Sequence, residues 1–413
     1  MPTSPSETAV EAPPLNAAPL RGRRSFLTAA AVIVVALWAS GAPAMVYPVY
    51  TAEWLLQPIV ITTIFALYPV SLVIVLVVFG GISDYIGRRA TLLIGLAIIL
   101  AGVLVFALAP GVEWLFIGRV LQGIGVGLAI SPAGAALVEF NPNGKTSTAS
   151  SVNTAAAATG LALATVVGGA LVQYAPLPSH LTFWVLAVVV AVVFVAVWFL
   201  PRGVVAQAAG PWRPRPLLVP RGIRLVFAIG TLSITAGFAM GALFLSLGSQ
   251  IAKDLIKTDN ALLAGAVMSV SALVMIAIVF IARSFSARTS IIVGGVTTAV
   301  GMLLLVAAAM SASIVVFLLS SLVAGAGYGL LFLGGLTIVN QYAPVHHRAG
   351  TLSAVYLIAY LAQGLTAVAV GSSATTIGLQ PALDLWSPLI AVVCVLATVL
   401  ALTFSRSRRV ALA

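Results

Sequence analysis

The sequence predicts an all-α polytopic membrane protein: two similar six-helix bundles related by a pseudo-two-fold axis along the membrane normal. Three observations carry that expectation. Of 413 residues, 61% are hydrophobic and only 7% are charged, whereas soluble domains average roughly 45–50% apolar and about 25% charged. Apolar runs of the length a bilayer demands, about 20 residues, occur twelve times along the chain. A glycine signature in the first half also returns in the second at a nearly constant offset.

Residues 1–24 are rich in Pro, Ser, Ala and Glu, lack apolar periodicity and end in Arg21, Arg23 and Arg24; such a segment reads as a disordered cytosolic tail. The N-terminal bundle is expected at 25–200, with spans near 25–48, 59–80, 90–109, 115–139, 152–174 and 183–200. Ala42-Pro43-Ala44 imitates a signal-peptidase site. The apolar run continues to Tyr47, well beyond the roughly 7–15 residues of a cleaved signal, so a retained first span is expected. Residues 201–223 carry Arg202, Arg213, Arg215, Arg221 and several prolines and read as a cytosolic linker. The C-terminal bundle follows at 224–405, with spans near 224–248, 261–282, 291–310, 313–339, 351–372 and 387–405, and a short cytosolic tail at 406–413.

Lys and Arg set the orientation. With the N-terminus inside, seventeen of the 20 fall in cytosolic segments, Lys253 and Lys257 in outer loops, and Arg119 within a span. Both termini are therefore expected in the cytosol, the protein multi-pass in the inner (plasma) membrane. The same bias accounts for the net charge of +11 without nucleic acid. The single Cys394 rules out an internal disulfide or a CxxC metal site, and it reads as a small buried hydrophobe. The histidines form no metal pattern; no metal and no cofactor are expected.

The run Gly123-Ile-Gly125-Val-Gly127 recurs as Gly325-Ala-Gly327-Tyr-Gly329, an offset of 202. Gly169 and Gly371 keep that offset, and Arg88 and Arg288 fall close to it. Several matches in corresponding spans point to a duplicated six-helix unit, whose substrate site lies between the halves near the midplane.

Between the second and third spans stands Gly80-Gly-Ile-Ser-Asp84-Tyr-Ile-Gly87-Arg88-Arg89. Asp84 and Arg88 share a face at four residues' separation, and the glycines allow a tight turn. The competing reading is a basic loop that happens to contain an acid. The segment resembles the signature loop of the major facilitator superfamily, Gly-x-x-x-Asp-Arg-x-Gly-Arg-Arg, with Tyr85 in place of its first basic residue. That resemblance covers about residues 25–405 in span number, linker and duplication. It implies a cytosolic latch in which Asp84 meets the start of the eleventh helix, near Gly350-Thr351, while Arg88 meets Glu139 at the end of the fourth.

In the fourth span, Arg119-Val-Leu-Gln122-Gly123 resembles the family's Arg-x-x-Gln-Gly motif. Arg119 lies about six residues, or roughly 9 Å, inside the outer end. An intramembrane arginine marks function by default, and snorkelling to the surface is the alternative. The glycines, Gly123 and Gly127 among them, have no preceding strand and so read as close helix packing, not nucleotide binding. In the fifth span, Gly160-Leu-Ala-Leu-Ala164-Thr165-Val-Val-Gly168-Gly169 resembles the antiporter motif, with Ala164 and Thr165 replacing its Gly and Pro. Generic small-residue packing competes with that reading.

Tyr47, Tyr68, Tyr356, Tyr360 and Gln363 are candidate cavity residues beside Arg119 and Gln122. Tyr356, Tyr360 and Gln363 form one stripe at i, i+4, i+7, which helix packing would also explain. All nine acids map to tails, loops or span ends, so proton coupling is implied by the resemblance and not by an embedded carboxylate.

The function expected is a secondary active transporter, probably best described as a proton-coupled exporter, that moves small organic molecules by alternating access. It would act as a monomer with the lipid bilayer and a small-molecule substrate as its partners. An import symporter of the same fold is the alternative. A non-transporting membrane enzyme or sensor is the alternative of another class, though no nucleophile–base pair favours catalysis.

Overall fold

The computed structural model describes residues 19–79, 81–143, 146–201, 219–344 and 348–410. Most of the segments read as N-terminal tail and linker, at 1–18 and 202–218, lie outside them. Among the described residues, twelve helices are long and apolar enough to cross a membrane. The first span is two helices, α1 (Pro19–Gly41) and α2 (Pro43–Trp54). The N-terminal half continues with α3 (Pro58–Phe79), the single turn α4 (Ser83–Ile86), α5 (Arg88–Ala107), α6 (Val112–Glu139), α7 (Thr146–Tyr174) and α8 (Pro178–Trp198). The second half comprises α9 (Arg224–Asp254), α10 (Ala261–Ile281), α11 (Ala287–Ser311), α12 (Ile314–Tyr342), α13 (Arg348–Ile377) and α14 (Leu379–Val410).

Several helices outrun the expected spans. α1 begins at Pro19, inside the segment read as tail, and α14 passes residue 405. Hydropathy measures only the hydrocarbon crossing, whereas a helix keeps its own backbone bonds satisfied beyond it. The first span reaches Trp54 because Tyr47 and Tyr50 are buried against neighbouring helices. Pro43, which has no N–H to donate, separates α1 from α2 there.

Each half has its own apolar core. One cluster runs from Phe26 to Leu200, and the other from Val226 to Ala401 with Met45 added. Arg23, Arg24, Arg88, Arg89, Arg221, Arg224 and Arg288 stand at helix starts on one end of the molecule, the basic end. At the far end α2, α7, α9 and α13 finish.

Lipid offers no hydrophobic gain for joining helices, so close backbone approach must hold them. The repeated glycines supply it in matching places. A Cβ on Gly123 would meet the Tyr68 carbonyl oxygen at 2.5 Å, and one on Gly127 would meet Val75, both on α3. Gly125 abuts Gly95 and Ile99 of α5. In the second half Gly325 and Gly329 face Ser271 and Met275 of α10, and Gly327 faces Thr298 of α11. The sequence offset of 202 is thus a spatial equivalence, with α3 and α5 answering to α10 and α11.

The halves join at the far end through a second set of equivalents. Gly169 of α7 lies against Ala261 and Leu262 at the start of α10, and Gly371 of α13 lies against Thr62 near the start of α3. Ala261 N donates to Gln173 Oε1 at 2.7 Å, and Ile59 N donates to Thr375 Oγ1 at 2.9 Å. Each bond satisfies an orphan N–H in the first turn of one helix with a side chain from the other half, and donor and acceptor both shift by 202. Ser249 Oγ adds a third cross-half bond, donating to the Ala44 carbonyl at 2.6 Å.

Gly123→Ala should cut the yield of monodisperse protein sharply, because the added methyl meets backbone that cannot move aside; overpacking of this kind costs roughly 1–3 kcal/mol. Gly134→Ala, whose nearest neighbour would be Asn153 Oδ1 at 3.4 Å, should leave yield and melting temperature near wild type. Size-exclusion profiles and thermal unfolding in detergent compare the two.

Candidate functional site

At the basic end, Gly87 has φ +88°, a conformation that favours glycine, and the chain turns there from α4 into α5. The turn aims two adjacent arginines at different helices. Arg88 forms an ion pair with Glu139 at the end of α6, and the Arg89 guanidinium lies 5.5 Å from the Trp198 ring at the end of α8. In the second half Arg288 donates to the carbonyls of Ala401 and Leu402 on α14. Because α14 answers to α8, Arg89 is the spatial counterpart of Arg288; the near-match of Arg88 to Arg288 in sequence misassigns it by one position. Gly80 and the side chain of Asp84 lie outside the described residues.

Arg119 does not snorkel. It is 1% exposed, and its Nη1 donates to the Ser40 carbonyl at 2.8 Å and to Gln122 Oε1 at 3.1 Å. Ser40 stands in the last turn of α1, just before the break at Pro43, so the guanidinium sits at the negative dipole end of that helix. Its carbon also sits 5.1 Å from the Tyr68 ring centroid and 5.5 Å from that of Phe65. Pro69 follows Tyr68 and leaves the Phe65 carbonyl without its usual helical donor, a local break in the ladder where these rings turn toward α6. Hydrogen bonds to charged groups contribute about 1.5–3 kcal/mol each and cation–π contacts about 0.5–2. Together these offset much of the several-kcal/mol cost of the buried charge. Arg119 Nε, Gln122 Nε2 and the Tyr47 hydroxyl remain buried without hydrogen-bond partners among the described residues.

Arg119 and Gln122 therefore stand behind the wall between the halves and not on its surface. The surface belongs to aromatic residues near the middle of their helices. Phe238 of α9 has its ring centroid 4.8 Å from Tyr360 of α13 and 6.2 Å from both Tyr328 and Phe332 of α12. Tyr356 lies 6.3 Å from Tyr360. Tyr328, Phe332, Tyr356 and Tyr360 are half-buried and stay partly accessible. Tyr360 packs against both cores. Gln363, nearly buried, approaches Gly241 of α9.

The structure thus gathers Tyr68, Tyr356 and Tyr360 at one central cage, with Arg119, Gln122 and Tyr47 behind it on the N-terminal side. Ser40, Phe65, Phe238, Tyr328 and Phe332 are members that sequence reasoning missed. Tyr328 was visible inside the Gly327-Tyr-Gly329 repeat, and Phe65 stands one turn before Tyr68; Phe238 had no such signal. In the fifth span, Gly160 admits the α1 backbone at Val34 and Trp38, and Gly168 lies against Met45. Ala164 faces Gly41 of α1, and the Thr165 carbonyl faces Gly265 of α10.

A family profile described as Major Facilitator Superfamily matches residues 27–287. Polyol transporter 5 of Arabidopsis thaliana is 41% identical over 63 residues, 15% of this chain and 12% of that protein. D-xylose-proton symporter-like 2 of the same plant is 45% identical over 62 residues, again 15% of this chain and 12% of the relative. The matched stretch thus spans about an eighth of each relative's length. Among solved structures, the nucleoside transporter NupG superposes with TM-score 0.75 at 14% identity, covering 91% of this chain and 99% of that one. A POT family transporter in complex with 5-aminolevulinic acid gives 0.74 at 14% identity, covering 94% and 96%.

The Arg88–Glu139 pair is more than a third exposed on both sides, so it contributes only about 0.2–1 kcal/mol to folding. Glu139→Gln and Arg88→Gln should each lower the melting temperature by no more than a few degrees, and the double variant should cost no more than the larger single change. Thermal unfolding of all three against wild type checks this; a drop of many degrees for either single change would give the pair a structural role this exposure does not support.

Proposed function

Because this chain belongs to the Major Facilitator Superfamily, we propose that it carries small organic molecules through the central cage by alternating access of its two halves, acting as a monomer in the inner (plasma) membrane. The positive-inside rule puts the basic end in the cytosol and both termini with it. The observation that carries the reading is the pair of equivalent cross-half caps, Gln173 to Ala261 and Thr375 to Ile59. They lie within the two equivalent helix pairs that join the halves, α7 with α10 and α3 with α13, and close the far end. Such a closure can open without unfolding either core.

The basic end has its own fastening in this reading. Arg88, held by Glu139, fixes the α4 turn, and Asp84 in that turn would meet the start of α13 when the cytosolic side shuts. Likeness of the fifth span to the antiporter motif would favour export, but packing accounts for every position in it that is described above. The name of one relative, a D-xylose–proton symporter, supports proton symport, the import alternative, instead. That direction is the one we adopt.

The test is flux into proteoliposomes with a panel of radiolabelled small solutes, with and without a proton gradient. Wild-type protein should accumulate a solute and lose accumulation when an uncoupler is added. Gln173→Ala combined with Thr375→Val removes both caps. The double variant should cut accumulation several-fold and raise labelling of a cysteine placed at Met45, buried beneath the far-end cleft, by an impermeant maleimide added outside intact cells. Unchanged flux and labelling would remove the caps from the gating cycle, and labelling only from the inside would reverse the orientation.

A further inference from the structure

We infer that the central cage selects its occupant by charge, favouring a small organic anion with a planar apolar frame and rejecting organic cations, through the field of Arg119 acting from behind the wall. This rests on the reading of the cage as the transport site.

An aromatic cage taken alone would favour a cation. Ring faces are negative, and enclosures of Tyr and Phe are the usual receptors for ammonium groups. Phe238, Tyr328, Phe332, Tyr356 and Tyr360 form a cluster of rings whose centroids lie 4.8–6.3 Å apart, and all but Phe238 stay partly accessible. Its N-terminal wall reverses the preference. Tyr68 stands there, in the core cluster that Tyr360 packs against, with the Arg119 guanidinium 5.1 Å from its ring centroid. A group packed on the other side of that ring, one van der Waals contact further, is roughly 8–9 Å from the charge.

The charge is not neutralised locally. Its partners are a carbonyl, an amide oxygen and two ring faces. The C-terminal end of α1 offers the equivalent of about half a negative charge. No Asp or Glu lies in the middle of any span, and Glu113, on the same helix, is six residues away and exposed. Across a wall of low polarity, the remaining positive field changes the binding of a unit charge at that distance by roughly tenfold in each direction. The phenol hydroxyls of the cage are donors suited to a carboxylate, and the rings suit a flat apolar body.

The experiment compares three probes built on one frame, 3-phenylpropionate, 3-phenylpropanamide and 3-phenylpropylammonium, by thermal stabilisation and calorimetry of the detergent-purified full chain. Wild type should bind them in the order carboxylate, amide, ammonium, with the ends of the series at least roughly tenfold apart. Arg119→Lys should keep the order, Arg119→Gln should collapse it, and Tyr360→Ala should weaken all three together. Wild-type protein that binds the ammonium as tightly as the carboxylate overturns the inference, whatever the variants do. So does binding of the neutral polyol xylitol with none of the three probes bound. Either result leaves the flux experiment untouched, so a failed charge filter and a failed transporter are told apart.

Discussion

Two bundles that share a bilayer gain nothing hydrophobic by touching, because lipid tails solvate leucine as well as another helix does. The rest of this structure depends on how that deficit is met. Within each half, backbone meets backbone at glycines: Gly123 on Tyr68, Gly125 on Gly95, Gly327 on Thr298. Between the halves the same device appears at Gly169 and Gly371, reinforced by side chains that cap the first turn of a helix across the interface. Each half has its own core, and the contact between them is concentrated on two equivalent helix pairs, α7 with α10 and α3 with α13. Two bodies meeting along a pair of equivalent seams are what alternating access requires.

Symmetry follows from that joint. Both caps and the glycines at 123, 125, 127 and 169 repeat at one offset, so at these points each half presents to the other the surface it receives. The cage breaks the symmetry. Its C-terminal side is a set of rings from α9, α12 and α13 packed largely edge to face, whereas its N-terminal side is backed by a buried guanidinium bonded to the last turn of α1. Arg119 thus has two jobs at once. It stabilises the break at Pro43, and it sets the potential at the wall it stands behind.

Much of the fold was legible in the sequence because the bilayer simplifies the code: span length, charge bias and glycine spacing each have one dominant cause. The offset of 202 was readable from Gly123 and Gly325, and the ends of the helices were not, since α1 starts at Pro19 where hydropathy is still low. The site was less legible. Tyr356 and Tyr360 showed as a stripe, but a stripe does not say which neighbour it faces. Arg119 was conspicuous as an embedded charge, yet its placement beside Tyr68 depends on the packing of α3 on α6 and on the Ser40 carbonyl at the end of α1, neither of which is encoded near residue 119. Phe238 sits in an unremarkable apolar run, and only the packing of α9 on α12 brings it to the cage.

The central claim is that the far end and the basic end open in alternation around the cage. Its most direct test is a pair of pulsed dipolar distance measurements on the same reconstituted protein. One pair of spin labels goes at Tyr174 and Ile377, exposed at the far end of opposite halves, and the other at Val138 and Ile281, exposed at the basic end. Adding a transported solute or shifting the proton gradient should lengthen one distance while it shortens the other. Distances that lengthen together, or that stay fixed while solute crosses the membrane, would contradict the account.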